Sequence, residues 1–276
     1  MSLTFKSVNA FLALTLFAFA GCDRKQQPSA THPGETRSGR TAKINVAAAA
    51  DLRYAMPGLV AGFRSVHPEV EPAIVFGSSG NLYAQISNHA PFDVFMSADA
   101  GYPDKLISEK AALPETRFVY AMGSLVLWIP NEFAPASDRP ALSLLKSDRF
   151  RKIAIANPRL APYGRAAEAA LKKEGVWDAV KDRIVLGENI AQTAQFLTTH
   201  AADAGLVSQS LALAEPLKSS GTAIQIPESD YPSIEQVAVV ITASPQPETA
   251  KEFCNYIAGD AGRTILRSNG LRPPAR

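Results

Sequence analysis

Residues 77–80 read Gly77-Ser78-Ser79-Gly80 and stand between a short apolar run, 73–76, and a helical segment continuing Asn81-Leu82-Tyr83-Ala84-Gln85-Ile86. Backbone N–H groups at a helix start have no acceptor in their own helix, and the helix dipole adds partial positive charge there. Two glycines admit close backbone approach and two hydroxyls add donors without adding charge. That chemistry suits an anion. Taken alone, the segment reads sooner as an ordinary capped strand-to-helix turn than as a binding site.

Three further junctions have the same character: Ala49-Ala50-Asp51, Ala161-Pro162-Tyr163-Gly164 and Gly187-Glu188-Asn189-Ile190. The elements that must position them alternate along the chain. β-type runs are expected at 43–49, 73–76, 93–97, 124–129, 153–156, 183–186, 204–207, 223–226 and 236–242, with helical patterns between them. This alternation predicts an α/β fold with largely parallel sheets. Ligands of open α/β sheets bind beyond the carboxyl ends of the strands, where such junctions gather. Two junctions fall early and two late in the chain, so the economical arrangement is a hinged cleft between two lobes closing on a small anion. Leu52 to Phe63 carries a helical stripe with Asp51 placed as its N-cap, and Pro57 requires that helix to kink or to restart. Gly175 and the pair Asn269-Gly270 are placed to end helices.

A chain of 276 residues with 46% hydrophobic and 20% charged residues has the composition of a globular protein, long enough for one large domain or two lobes. A net charge of +2, with no basic stripe interleaved with aromatics, argues against a nucleic-acid partner. The start is different. Lys6, an apolar run at 10–20 that is too short to span a bilayer, and the small residues Ala20 and Gly21 before Cys22 read as an export signal over 1–21. Phe19-Ala20-Gly21-Cys22 resembles the bacterial lipobox, which implies acylation of Cys22, and Asp23 resembles the signal for retention at the inner membrane. Residues 22–42 are then a polar, lipid-anchored tether. The second cysteine, Cys254, sits beside Phe253 and Ile257 on an apolar helix face and reads as a core thiol.

Six segments in order resemble the molybdate-binding proteins of ABC transporters: Val46-Ala47-Ala48-Ala49-Ala50-Asp51-Leu52, GSSGNLYAQI from Gly77, Ala90-Pro91-Phe92-Asp93-Val94-Phe95-Met96-Ser97-Ala98-Asp99, YAMGSLVLW from Tyr120, IAIANPRLAPYG from Ile153, and Glu188-Asn189-Ile190-Ala191-Gln192. The resemblance implies a two-lobe type II periplasmic binding protein fold. Its crossovers fall near Gly123 and Ser233, giving a first lobe of 43–122 plus 233–276 and a second of 123–232. It implies a tetrahedral oxyanion, molybdate or tungstate, as ligand rather than cofactor, held against Ala50 and Asp51, Ser79, Tyr163 and the backbone of Ile190. It further implies delivery of the ion to an ABC permease with its ATPase; with the lipobox and Asp23, the expectation is a monomer in the periplasm or at the cell surface, anchored to the outer leaflet of the inner membrane.

Position 51 departs from the family, which commonly has Ser or Asn there. An ionised Asp51 repels a dianion, so it must turn away as an N-cap, become protonated, or accept the proton of another ion such as hydrogen phosphate. The expectation is that it turns away while its N–H still donates. Ser208, where some members carry a Tyr, is left outside the site. Phosphate, phosphonate or sulfate remains the alternative cargo. A ferric site built on Tyr54, Tyr83, Tyr163 and Tyr231 lacks an adjacent tyrosine pair, and His32, His67, His89 and His200 lack metal-ligand spacing. Ser79 lacks the Gly-x-Ser-x-Gly elbow of hydrolases and 77–80 lacks the Lys-Ser/Thr end of a P-loop, so no catalytic residue is expected. Asp99 reads as a helix cap.

Overall fold

The computed structural model describes residues 42–134 and 141–275. The export signal, Cys22 and nearly all of the tether lie outside the described residues. Residue 42, expected to close the tether, instead opens the first strand.

Among the described residues, ten strands are interleaved with ten helices. The strands are β1 (Ala42–Ala49), β2 (Val70–Gly77), β3 (Val94–Ser97), β4 (Phe118–Gly123), β5 (Leu125–Pro130), β6 (Ile153–Ala156), β7 (Ile184–Gly187), β8 (Ala204–Ser208), β9 (Gly221–Gln225) and β10 (Ile234–Val240). The helices are α1 (Met56–Val66), α2 (Ser79–Ser87), α3 (Gly101–Ser108), α4 (Pro162–Lys173), α5 (Trp177–Val180), α6 (Ile190–Thr198), α7 (Gln209–Ala212), α8 (Leu217–Ser220), α9 (Pro247–Ala258) and α10 (Asp260–Ser268). All nine expected strands are present. The tenth, β4, is separated from β5 by Ser124 alone, so the two read in sequence as one apolar run.

They form two five-stranded sheets, in the orders β2-β1-β3-β10-β4 and β7-β6-β8-β5-β9. Each sheet is parallel at the three strands whose ends carry the glycine-rich and helix-starting junctions, β1 with β2 and β3, and β6 with β7 and β8. Each turns antiparallel at the strands next to the crossings, β10 in the first sheet and β5 in the second. The chain leaves the first sheet at Gly123 and returns to it at Ile234. These two sheets are the two lobes.

Both faces of the first sheet are covered, as a sheet with parallel strands and helical crossovers requires. Along β1, Val46 and Ala48 pack with Leu59, Phe63, Phe253 and Ile257 on one side, while Ala47 packs with Leu82, Ile86, Phe95 and Leu106 on the other. Cys254 is buried in the former cluster, and desolvation pushes its thiol up to about 12, as befits an inert core group. The second lobe has its own core of Val126, Trp128, Ile155, Ala167, Leu171 and Leu206.

Local signals for helix ends were accurate with one exception. Gly175 and Gly270 take positive φ of 62° and 74° just past α4 and α10, and His89 and His200 do the same after α2 and α6. The exception is the stripe from Leu52. The helix restarts, with Pro57 in the first turn of α1, where a missing N–H costs nothing. A short 3₁₀ turn, Ala50–Leu52, stands before it, and its N-terminus has no side-chain cap. Asp51 is therefore not an N-cap. Tertiary partners claim its carboxylate instead.

Candidate functional site

One small cavity is lined by Ala50, Asp51, Ser78, Ser79, Tyr163 and Ile190, with Ala49, Gly77, Ala98, Ala161 and Pro162 completing it. All five residues expected to bind the ligand thus line a single space between the lobes. Three helix starts converge on it. Ser79 and Ile190 open α2 and α6, and Tyr163 is the second residue of α4 after a proline. Their N–H groups belong to first turns and have no intrahelical acceptor. Asn189, which caps α6, accepts from Gln192 N at 3.0 Å. No Lys, Arg or His lines the cavity. A donor set of backbone amides and hydroxyls, with the dipoles of three helices behind it, stabilises negative charge without a buried cation.

Ser79 Oγ accepts the Ala98 N–H at 2.9 Å, which fixes its rotamer and leaves its proton for another acceptor. The neighbouring Ser78, unassigned from sequence, is 3% exposed, lines the same cavity and has a hydroxyl with no partner. Its signal was present in the paired serines, but sequence does not say which one the helix start turns inward.

Asp51 is fully buried. Its Oδ2 accepts from Tyr163 Oη at 3.0 Å and from Gln236 Nε2 at 2.5 Å, and Gln236 Nε2 also reaches Tyr163 Oη at 3.1 Å. Its carbonyl accepts from Ser210 Oγ at 2.9 Å. Gln236 lies on β10 of the first lobe, whereas Tyr163 and Ser210 belong to the second, so the two lobes meet at this residue. Gln236 was missed in the sequence, and its one signal is an amide inside the apolar run of β10. Burial pushes the Asp51 carboxyl up to about 6, against the hydrogen bonds from Gln236 and Tyr163, which lower it. Burial, with the charge of Asp51 next, holds the Tyr163 phenol well above its ordinary value. Among the described residues, the buried side-chain polar atoms without a partner are Asp51 Oδ1, Ser78 Oγ and Gln236 Oε1. All three belong to this locus.

Gly80 lets the lobes touch. Its N–H donates to Leu160 O at 2.9 Å, and a Cβ there would lie 2.8 Å from that oxygen. At the rim, Asn81 Nδ2 donates to Glu188 Oε1 at 2.8 Å and Arg165 pairs with Asp99, which also accepts the Tyr102 N–H at 3.1 Å. Asp99 is thus both a cap and half of an ion pair between lobes. Ser208, left out of the site, bonds Ser210 Oγ at 3.0 Å. Of the four tyrosines of the ferric reading, three are used elsewhere: Tyr54 and Tyr83 donate to Glu215 O and Glu109, and Tyr231 accepts from Leu125 N. Among the described residues no group of three or more His, Cys, Asp or Glu could hold a metal ion.

Residues 44–272 match the family of bacterial extracellular solute-binding proteins. The chain belongs to that family. Within it, the chain is 33% identical over 235 residues to the molybdate-binding protein ModA of Azotobacter vinelandii, covering 84% of this chain and 91% of that one. It is 36% identical over 195 residues to ModA of Rhodobacter capsulatus, covering 71% and 75%. The solved structure of the Azotobacter vinelandii periplasmic molybdate-binding protein superposes with a TM-score of 0.77 at 32% identity, over 84% of this chain and all of that one. The two-lobe fold of this solute-binding protein is that of the periplasmic binding proteins.

Proposed function

We propose that this solute-binding protein captures molybdate, and tungstate as its near-isosteric equivalent, and delivers it to an ABC permease with its ATPase. Ser79 through hydroxyl and N–H, and the backbone donors at Ala50, Asp51, Tyr163 and Ile190, hold the ion, and no residue transforms it. The observation that carries this reading is the donor set: three helix starts and two serines around one cavity with no basic side chain. Such a set suits a fully deprotonated tetrahedral dianion, and a rigid array discriminates by ion radius because a smaller ion cannot reach every donor. The ModA relatives, at 33% and 36% identity, support the same cargo. The protein works in the periplasm, tethered through acylated Cys22 and acting as a monomer; the lipobox-like Phe19-Ala20-Gly21-Cys22 supports the anchor.

Calorimetric titration with molybdate, tungstate, sulfate and phosphate in separate runs tests it. Tight binding of the first two with the others silent is the expected result; tight phosphate or sulfate binding with molybdate silent overturns it.

A further inference from the structure

The Asp51 carboxyl divides its two oxygens between different tasks. Oδ2 already accepts two donors, from Tyr163 of the second lobe and Gln236 of the first. Oδ1 is buried without a partner on a residue that lines the cavity. A bare carboxylate oxygen against a dianion is repulsive, and at close range in a dry cleft the cost exceeds what several amide donors return. The same oxygen bearing a proton is a donor, and it completes the neutral set around the cavity.

From this, and resting on the reading of the cavity as an oxyanion site, we infer that Asp51 holds the ion as a neutral carboxylic acid. Its Oδ1–H donates to an oxyanion oxygen, and capture by the ionised free protein takes up one proton from solvent. No bond other than O–H is made, and the ion keeps its charge.

Burial favours the neutral acid, while the hydrogen bonds from Gln236, Tyr163 and the Asp51 and Leu52 backbone favour the carboxylate, so the group is poised between the two. The groups acting on the carboxyl from the packed elements are Tyr163 on α4, Tyr120 on β4 and Gln236 on β10, together with the backbone N–H groups of Asp51 and Leu52, none of them cationic. The adjacent Arg53 is turned onto the Phe76 ring, 5.6 Å from its centroid. Burial pushes the carboxyl up to about 6, so it ionises in the neutral range before an anion arrives.

The test is calorimetric titration of the full chain with molybdate from about pH 6.5 to about pH 9, in buffers of different ionisation enthalpy. In the wild type, affinity falls about tenfold per pH unit above the carboxyl pKa, and proton uptake approaches one per ion. Asp51→Asn keeps a neutral donor and binds with pH-independent affinity and no proton uptake. Wild-type binding without proton uptake, or the same pH slope in Asp51→Asn, overturns the proposal while leaving the oxyanion site standing. Hydrogen phosphate bound by the wild type and lost in Asp51→Asn also overturns it, because the carboxylate then accepts rather than donates. Molybdate, tungstate, sulfate and phosphate all silent in both proteins removes the oxyanion reading itself.

Discussion

Two buried aspartates stand at opposite ends of the first sheet, and their surroundings differ in kind. Asp93, just before β3, is 2% exposed and satisfied at both oxygens: Oδ2 accepts the Asn45 N–H at 2.6 Å and Oδ1 the Ser244 hydroxyl at 2.5 Å. Its backbone continues the pattern, donating to Asn45 O and accepting from Ile241 N. Asp51, just after β1, is equally buried but satisfied at one oxygen only. The first ties a strand start to the loop before α9. The second leaves polar capacity unused inside a cleft, a cost that a fold keeps where a ligand or a moving lobe completes the bonding. Burial alone does not separate a structural carboxylate from a functional one; the bonding of each oxygen does.

The largest effect expected from this contrast is at Asp93. Asp93→Ala leaves a buried N–H and a hydroxyl unpaired and should remove about 3–5 kcal/mol of unfolding free energy in denaturant titration, with oxyanion selectivity unchanged in the protein that remains folded. Altered selectivity at full stability would break the comparison.

Asp51 should behave in the reverse sense. Its carboxyl is raised from its ordinary value of 3.8 to about 6 in the folded chain, so the folded state binds the proton more tightly. Below pH 3.8 both states are protonated and the group contributes nothing. Between 3.8 and 6 the unfolded chain ionises first and stability falls as pH rises. Above 6 the full penalty of about 3 kcal/mol is present. Asp51→Asn should therefore be more stable than the wild type at pH 8 by up to about that amount, the gain vanishing near pH 4. Equal stability of the two proteins at both pH values would place Asp51 with Asp93 among satisfied groups.

Ser79→Ala sharpens the contrast from the ligand side. The hydroxyl is asked to donate to the oxyanion while it accepts from Ala98, so removing it should weaken molybdate binding by about 1.5–3 kcal/mol, roughly ten- to a hundredfold. A smaller loss of fold stability, about 1 kcal/mol for the unpaired Ala98 N–H, should accompany it. Affinity unchanged in a stably folded variant would remove Ser79 from the site.

How much of this was legible beforehand follows the range of the interactions. Strand and helix order, the four junctions and the helix-ending Gly175 and Gly270 depend on neighbours a few residues away, and the chain carries them openly. Asp51 was misread because its local context, a polar residue before a helical stripe, is that of a cap. Its real partners lie 112 and 185 residues away at Tyr163 and Gln236. Neither separation leaves a trace in spacing or periodicity. Ser78 was missed for the opposite reason: it is adjacent to Ser79 and chemically identical, and only the helix start decides which hydroxyl is held by Ala98 and which is left bare. β4 hid against β5 because a single residue separates strands of different sheets, and an apolar run does not announce that its two halves belong to different lobes.

The smallest expected effect tests whether closure depends on the cleft or on its rim. Arg165 on α4 reaches across to Asp99 and to Tyr102 Oη, and Asn81 reaches Glu188, all near solvent. Exposed pairs return about 0–1 kcal/mol because water solvates the charges well and two long side chains must be ordered. Arg165→Ala should accordingly reduce molybdate affinity less than about fivefold, and the difference should shrink as salt is raised. A loss as large as that of Ser79→Ala would mean that the rim, rather than the buried donors, holds the lobes together. Asp51, joined to both lobes through Tyr163 and Gln236, would then be a bystander of closure rather than the group that registers it.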